Sequence, residues 1–110
     1  MRLTAIPILF VALAVSLPAV AAKPSFNCAK ATHEAEQLVC KDPELAQLDR
    51  NLAEIYSGLL KRKTGAERKK LKAGQNSWVK TRNECWKAKD AHACVQREYQ
   101  TRIDQLYNWR

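Results

Sequence analysis

Apolar residues recur at three- and four-residue spacings along most of this chain, and no stretch alternates apolar and polar in the manner of a strand. The spacing predicts a short helix over His33–Cys40, with Thr32 as its cap, Glu34 and Glu36 near its positive end, and Leu38 and Val39 as its apolar surface. A second helix starts at Asp42, a good N-cap, followed by Pro43 at the first helical position. Leu45, Leu48, Leu52, Ile55, Tyr56 and Leu59 form its stripe, and the helix fades near Lys63. Thr64-Gly65-Ala66-Glu67 has the hydroxyl-to-carboxylate spacing of a capping box. The third helix is expected to run from there to about Lys87, with Leu71, Gln75, Trp78, Arg82 and Cys85 on one face and Val79 and Trp86 widening it. Asp90 can cap a fourth helix that presents Val95, Tyr99, Ile103 and Leu106 on one side, with Arg102 and Tyr107 beside them. Short connections between long amphipathic helices imply antiparallel packing. The expected fold class is all-α: a small antiparallel bundle of three main helices plus a short N-terminal one.

The first residues follow a different pattern. Arg2 precedes a run from Ala5 to Val15 that is apolar apart from Pro7; Pro18 ends it, and Val20-Ala21-Ala22 offers small residues for cleavage. This is the order of a secretory signal. The run is shorter than the roughly 20 residues of a spanning helix, so no transmembrane anchor is expected. Cleavage after Ala22 divides the chain into a signal peptide, 1–22, and one domain, 23–110. A lipid anchor needs a cysteine directly after a small-residue box, whereas Cys28 follows Pro24-Ser25-Phe26-Asn27. The expected location is the periplasm or the medium.

Export changes the reading of the cysteines. Cys28, Cys40, Cys85 and Cys94 all lie in the mature part, and an even count in an exported chain reads as two disulfides. Three pairings are possible. The local pairs Cys28–Cys40 and Cys85–Cys94 are favoured because each brackets a turn or a helix start. The cysteines and the two histidines lack zinc-site spacing, so no metal and no cofactor is expected. So small a domain needs such staples, since it buries a modest share of its surface.

Polar residues inside the stripes are the next feature. Asp49 lies between Leu45, Leu52 and Tyr56 on the core side of the second helix; Arg82 and Arg102 occupy similar places on the third and fourth. A buried carboxylate is costly unless paired. Asp49 is therefore expected to contact Arg82 or Arg102, fixing helix register. Gln75 can bridge stripes or satisfy a tyrosine hydroxyl. These four form the expected structural polar core. Trp78 is expected in the core, Trp86 at its border and half exposed, and Trp109 either docked or frayed.

The chain carries 19 Lys and Arg against 11 Asp and Glu. Lys61, Arg62, Lys63, Arg68, Lys69, Lys70 and Lys72 crowd one short stretch in which Glu67 is the only acid. Such a run is usually a solvated helix end; the sharper reading is a contact surface for an anionic partner. Export argues against nucleic acid. No G-x-S-x-G, H-E-x-x-H or phosphate-cradling loop is present, and so short a domain has little room for a deep cleft. No catalytic residue is assigned and no enzyme activity is expected.

Several blocks carry a resemblance: Ser25-Phe26-Asn27-Cys28-Ala29-Lys30-Ala31, Glu36-Gln37-Leu38-Val39-Cys40, Leu45-Ala46-Gln47-Leu48-Asp49, Tyr56, and Gln75-Asn76-Ser77-Trp78-Val79-Lys80-Thr81-Arg82-Asn83-Glu84-Cys85. Cys94, Tyr99, Arg102-Ile103 and Leu106 complete the set. Together they resemble the lysozyme inhibitor LprI family, specifically its N-terminal-like domain. The resemblance implies an exported binding protein with lysozyme as partner. The matching positions coincide with the stripes, so they carry over as determinants of the fold and not as inhibitory contacts. Animal-type lysozymes are themselves basic and repel a basic protein at long range, but their cleft is acidic, and a Lys or Arg of 61–72 could enter it. The alternatives are a cell-envelope module contacting anionic lipid or polysaccharide through the same segment, and a component of a larger secreted assembly. The sequence sets neither the oligomeric state nor the partner.

Overall fold

The computed structural model describes residues 2–14 and 23–109. Pro18 and the expected Val20-Ala21-Ala22 cleavage site lie outside the described residues. Residues 2–14 are solvent-exposed and carry no regular secondary structure, and among the described residues no helix is long and apolar enough to cross a membrane.

Four helices follow: α1 (Glu34–Lys41), α2 (Pro43–Arg62), α3 (Gly65–Asn83) and α4 (Ala91–Tyr107), with single 3-10 turns at Cys28–Lys30 and Glu84–Lys87. No strand occurs among the described residues. Contacts give the helix directions. Asp42 meets His92 and Asp49 meets Tyr99, a constant offset that makes α2 and α4 parallel. Gln75 meets Arg102, Arg82 meets Tyr99 and Cys85 bonds Cys94, so α3 runs against α4. Consecutive long helices thus alternate in direction. Helix α4 packs on α1, α2 and α3.

The stripes account for this packing. Ala35 and Val39 of α1, Leu45, Leu52 and Leu59 of α2, Leu71 and Trp78 of α3, and Val95, Tyr99 and Leu106 of α4 form one buried cluster. Burial of each Leu or Val contributes about 1.5–3 kcal/mol. Trp78 meets Tyr99 edge to face, with ring centroids 5.0 Å apart. Trp109 is half-buried and docked on the core, and Trp86 is 57% exposed, in keeping with a half-exposed residue beside the stripe.

The helix ends follow the expectation in part. Asp42 accepts from Glu44 N and Asp90 from Ala93 N, as caps do. The cap of α1 is His33 rather than Thr32, and it makes no side-chain bond. Thr64 caps α3 without the expected hydroxyl bond. There Gly65, at φ +56°, turns the chain through the left-handed region, and Arg68 of α3 reaches back to donate to Leu60 O in the last turn of α2. That bond satisfies a carbonyl at the end of α2, while the start of α3 has no side-chain cap. Helix α3 also ends earlier than Lys87, because the backbone tightens into the Glu84–Lys87 3-10 turn.

Both local disulfides are present, Cys28–Cys40 with Cα atoms 5.9 Å apart and Cys85–Cys94 at 5.5 Å. The first ties the N-terminal 3-10 turn to α1. The second ties the end of α3 to the start of α4.

Candidate functional site

Asp49, Arg82 and Arg102 are buried, at 4%, 5% and 5% exposure. Asp49 does not touch either arginine. Tyr99 stands between: its hydroxyl donates to Asp49 Oδ1 at 2.8 Å and accepts from Arg82 Nη1 at 2.9 Å. The expected direct ion pair is thus a three-helix relay from α3 through α4 to α2. The reason is geometric: α4 lies between the other two, so a side chain of α4 fills the gap. Burial raises the pKa of the Tyr99 hydroxyl, with Arg82 pulling the other way, so it stays protonated and remains a donor.

Arg82 also donates through Nε and Nη2 to Asn83 Oδ1, at 3.2 and 2.9 Å. Its guanidinium lies over the rings of Trp78, Tyr99 and Phe26, 5.6–6.0 Å from their centroids. Arg102 belongs to a second network, donating to Gln75 Oε1 at 2.9 Å and to Gln105 Oε1 at 3.3 Å. Its Nη2 is buried without a partner beside Gly74. Desolvation lowers its pKa, partly countered by Tyr56. Gln75 therefore bridges α3 and α4 and does not serve a tyrosine.

The segment before the first 3-10 turn is a strap over α2. Ser25 N donates to Asp49 Oδ2 at 2.6 Å, Lys23 O accepts from Arg50 at 3.0 Å, and Phe26 packs against the core. Next to it a cavity of about 310 Å³ is lined by Ser25, Phe26, Glu36, Asp49, Tyr56, Gln75, Trp78 and Arg82 among others. The strap carries no periodicity, so helical spacing could not reveal it.

The basic residues gather where α2 turns into α3. Lys61, Arg62, Lys69, Lys70 and Lys72 are exposed; Lys63 and Arg68 are half-buried, and Arg68 is occupied by Leu60 O. The run is thus a fixed cationic tip, apart from the polar core. A third feature has no signal in the spacing of residues: His92 of α4 pairs with Asp42 at the α1–α2 junction, and this contact lowers the Asp42 pKa.

The sequence profile described as "Lysozyme inhibitor LprI" matches residues 28–106. The chain belongs to this family. The matched segment contains both disulfides, the polar relay and the cationic tip; the strap precedes it. Proteins named "Lipoprotein LprI" from Mycobacterium bovis and Mycobacterium tuberculosis are each 39% identical over 82 residues, which is 74% of this chain. The chain spans 40% of the length of these relatives. No solved structure matches it. The LprI family name points to a binding protein rather than an enzyme, and the two disulfides suit a protein outside the cytoplasm.

Proposed function

We propose that this domain is an exported lysozyme-binding protein that acts in the periplasm or the medium and blocks a lysozyme cleft. The family match over residues 28–106 carries the reading. The cationic tip supports it physically. Lys61, Arg62, Lys69, Lys70 and Lys72 project from a turn pinned by the Arg68 bond to Leu60 O, so a Lys or Arg can be presented without ordering a loop. The carboxylates of a glycosidase cleft attract such a group locally, against a long-range repulsion between two basic proteins.

The test is cell-wall lysis by several lysozymes with the purified protein in micromolar excess. Slower lysis, relieved by Lys69→Glu/Lys70→Glu, supports the reading. Unchanged lysis for every lysozyme overturns it.

The same exposed cations favour a second reading, a module that holds anionic lipid or polysaccharide of the cell envelope. Binding through solvated lysines weakens steeply as salt rises. Co-sedimentation with anionic vesicles at low salt, lost at high salt and absent with neutral vesicles, distinguishes this reading from cleft blocking.

A further inference from the structure

The cavity beside the strap is not used by either reading, and its lining is chemically specific. Three of the five N–H donors of Arg82 are spent on Tyr99 and Asn83, leaving two. Gln75 uses its oxygen on Arg102 and keeps its amide nitrogen unspent. The Glu36 carboxylate and the Tyr56 hydroxyl, both half-buried, enter no side-chain hydrogen bond or ion pair among the described residues. None of these atoms is sealed from water without a partner. They belong to side chains that line one space.

The lining also narrows the ligand. The lining mixes two carboxylates, Glu36 and Asp49, with the Arg82 guanidinium, and this mixture favours a ligand without net charge. An acyl chain would leave four polar groups unpaired. Phe26, Trp78 and Val79 supply an apolar wall on the remaining side. A volume of about 310 Å³ is at the small end for ligand sites. We infer that this cavity holds one ring of a neutral acetamido saccharide, its hydroxyls bonded to Glu36, Tyr56, Gln75 and Arg82 and its methyl and ring carbons on the apolar wall. A second depression of about 420 Å³ shares Ser25 and Ala53 with the first and adds Arg50, Ser57 and Lys61, which gives the next ring a polar bed.

This site shares only Lys61 with the cationic tip, so a protein that leaves lysis unchanged can still bind the sugar. The experiment is a titration of the purified protein with the trimer of N-acetylglucosamine, followed by calorimetry and by the indole N–H signals in NMR spectra. Saturable binding that moves the Trp78 signal and leaves that of exposed Trp86 in place is expected. Tyr56→Phe and Glu36→Gln should each weaken binding roughly tenfold, as loss of one hydrogen bond does. Neither the Tyr56 hydroxyl nor the Glu36 carboxylate makes a hydrogen bond within the described fold, and both replacements keep the side-chain size, so thermal unfolding should change little. Absence of saturable binding, or equal binding by wild type and both variants, overturns the inference.

Discussion

Asp49 is the residue that joins the N-terminal strap to the three-helix relay. One oxygen takes the Tyr99 hydroxyl, which in turn takes Arg82; the other takes the backbone of Ser25. Removing this acceptor leaves a buried guanidinium without its counter-charge, which costs about 3 kcal/mol or more. Asp49→Ala should therefore unfold at a markedly lower temperature in calorimetry. Tyr99→Phe keeps the ring and removes only the relay, so its cost should be smaller, about 2 kcal/mol. A direct Asp49–Arg82 pair, with the Tyr99 hydroxyl outside it, would predict little loss from Tyr99→Phe. Asp42 gives a pH dependence. Its folded pKa lies below the ordinary aspartate value of 3.8, chiefly because His92 bonds it. The resulting stability is fully present above that unfolded value and is lost as pH falls through the folded one. Stability measured by denaturant titration should drop below about pH 4, and Asp42→Asn should flatten that part of the profile.

At the scale of elements, the helices are legible because they depend on periodicity and local caps, both visible in a single sequence. Leu45, Leu52, Leu71, Trp78, Val95 and Leu106 are buried as their spacing predicts. Local pairing of the cysteines is legible for a similar reason, since each pair brackets one turn. What joins elements is less so. Nothing in the spacing of Asp49, Arg82 and Tyr99 says which helix lies between the others, so spacing alone suggests a direct pair where the fold builds a relay. The strap is invisible to periodicity because its contacts are backbone bonds to Asp49 and Arg50. Gly65 hides the Thr64 outcome, because its left-handed φ breaks the geometry a capping box needs. Two glycines give opposite predictions. Gly58 sits inside α2, and a Cβ added there would meet only the Arg62 guanidinium, at 3.8 Å, so Gly58→Ala should stabilise by about 0.5–1 kcal/mol. Gly65→Ala should destabilise by about 1–2 kcal/mol, because its φ disfavours any side chain. Thermal melts of both variants check this pair. Replacing Cys85 and Cys94 by Ser should cost more than the roughly 3 kcal/mol of a short cross-link, since Cys85 is also buried in the core at 2% exposure.

At the scale of the whole molecule, polar core and cationic tip are separate. The relay lies inside the bundle and fixes how the helices meet; the tip lies at the α2–α3 turn and is free to face a partner. Substitutions at Lys69, Lys70 or Lys72 should therefore change binding without changing stability, while those at Asp49 or Tyr99 should change stability first. This separation also explains why family membership is readable and the binding surface is not: the residues shared with the family pattern are mostly those that hold the bundle together. Lysozyme binding through the tip is best tested by calorimetric titration of the purified protein into lysozyme. A saturable, stoichiometric complex that weakens when the lysines of the tip are reversed in charge is expected. Absence of saturable heat with every lysozyme tried, at micromolar concentrations of both proteins, would contradict it.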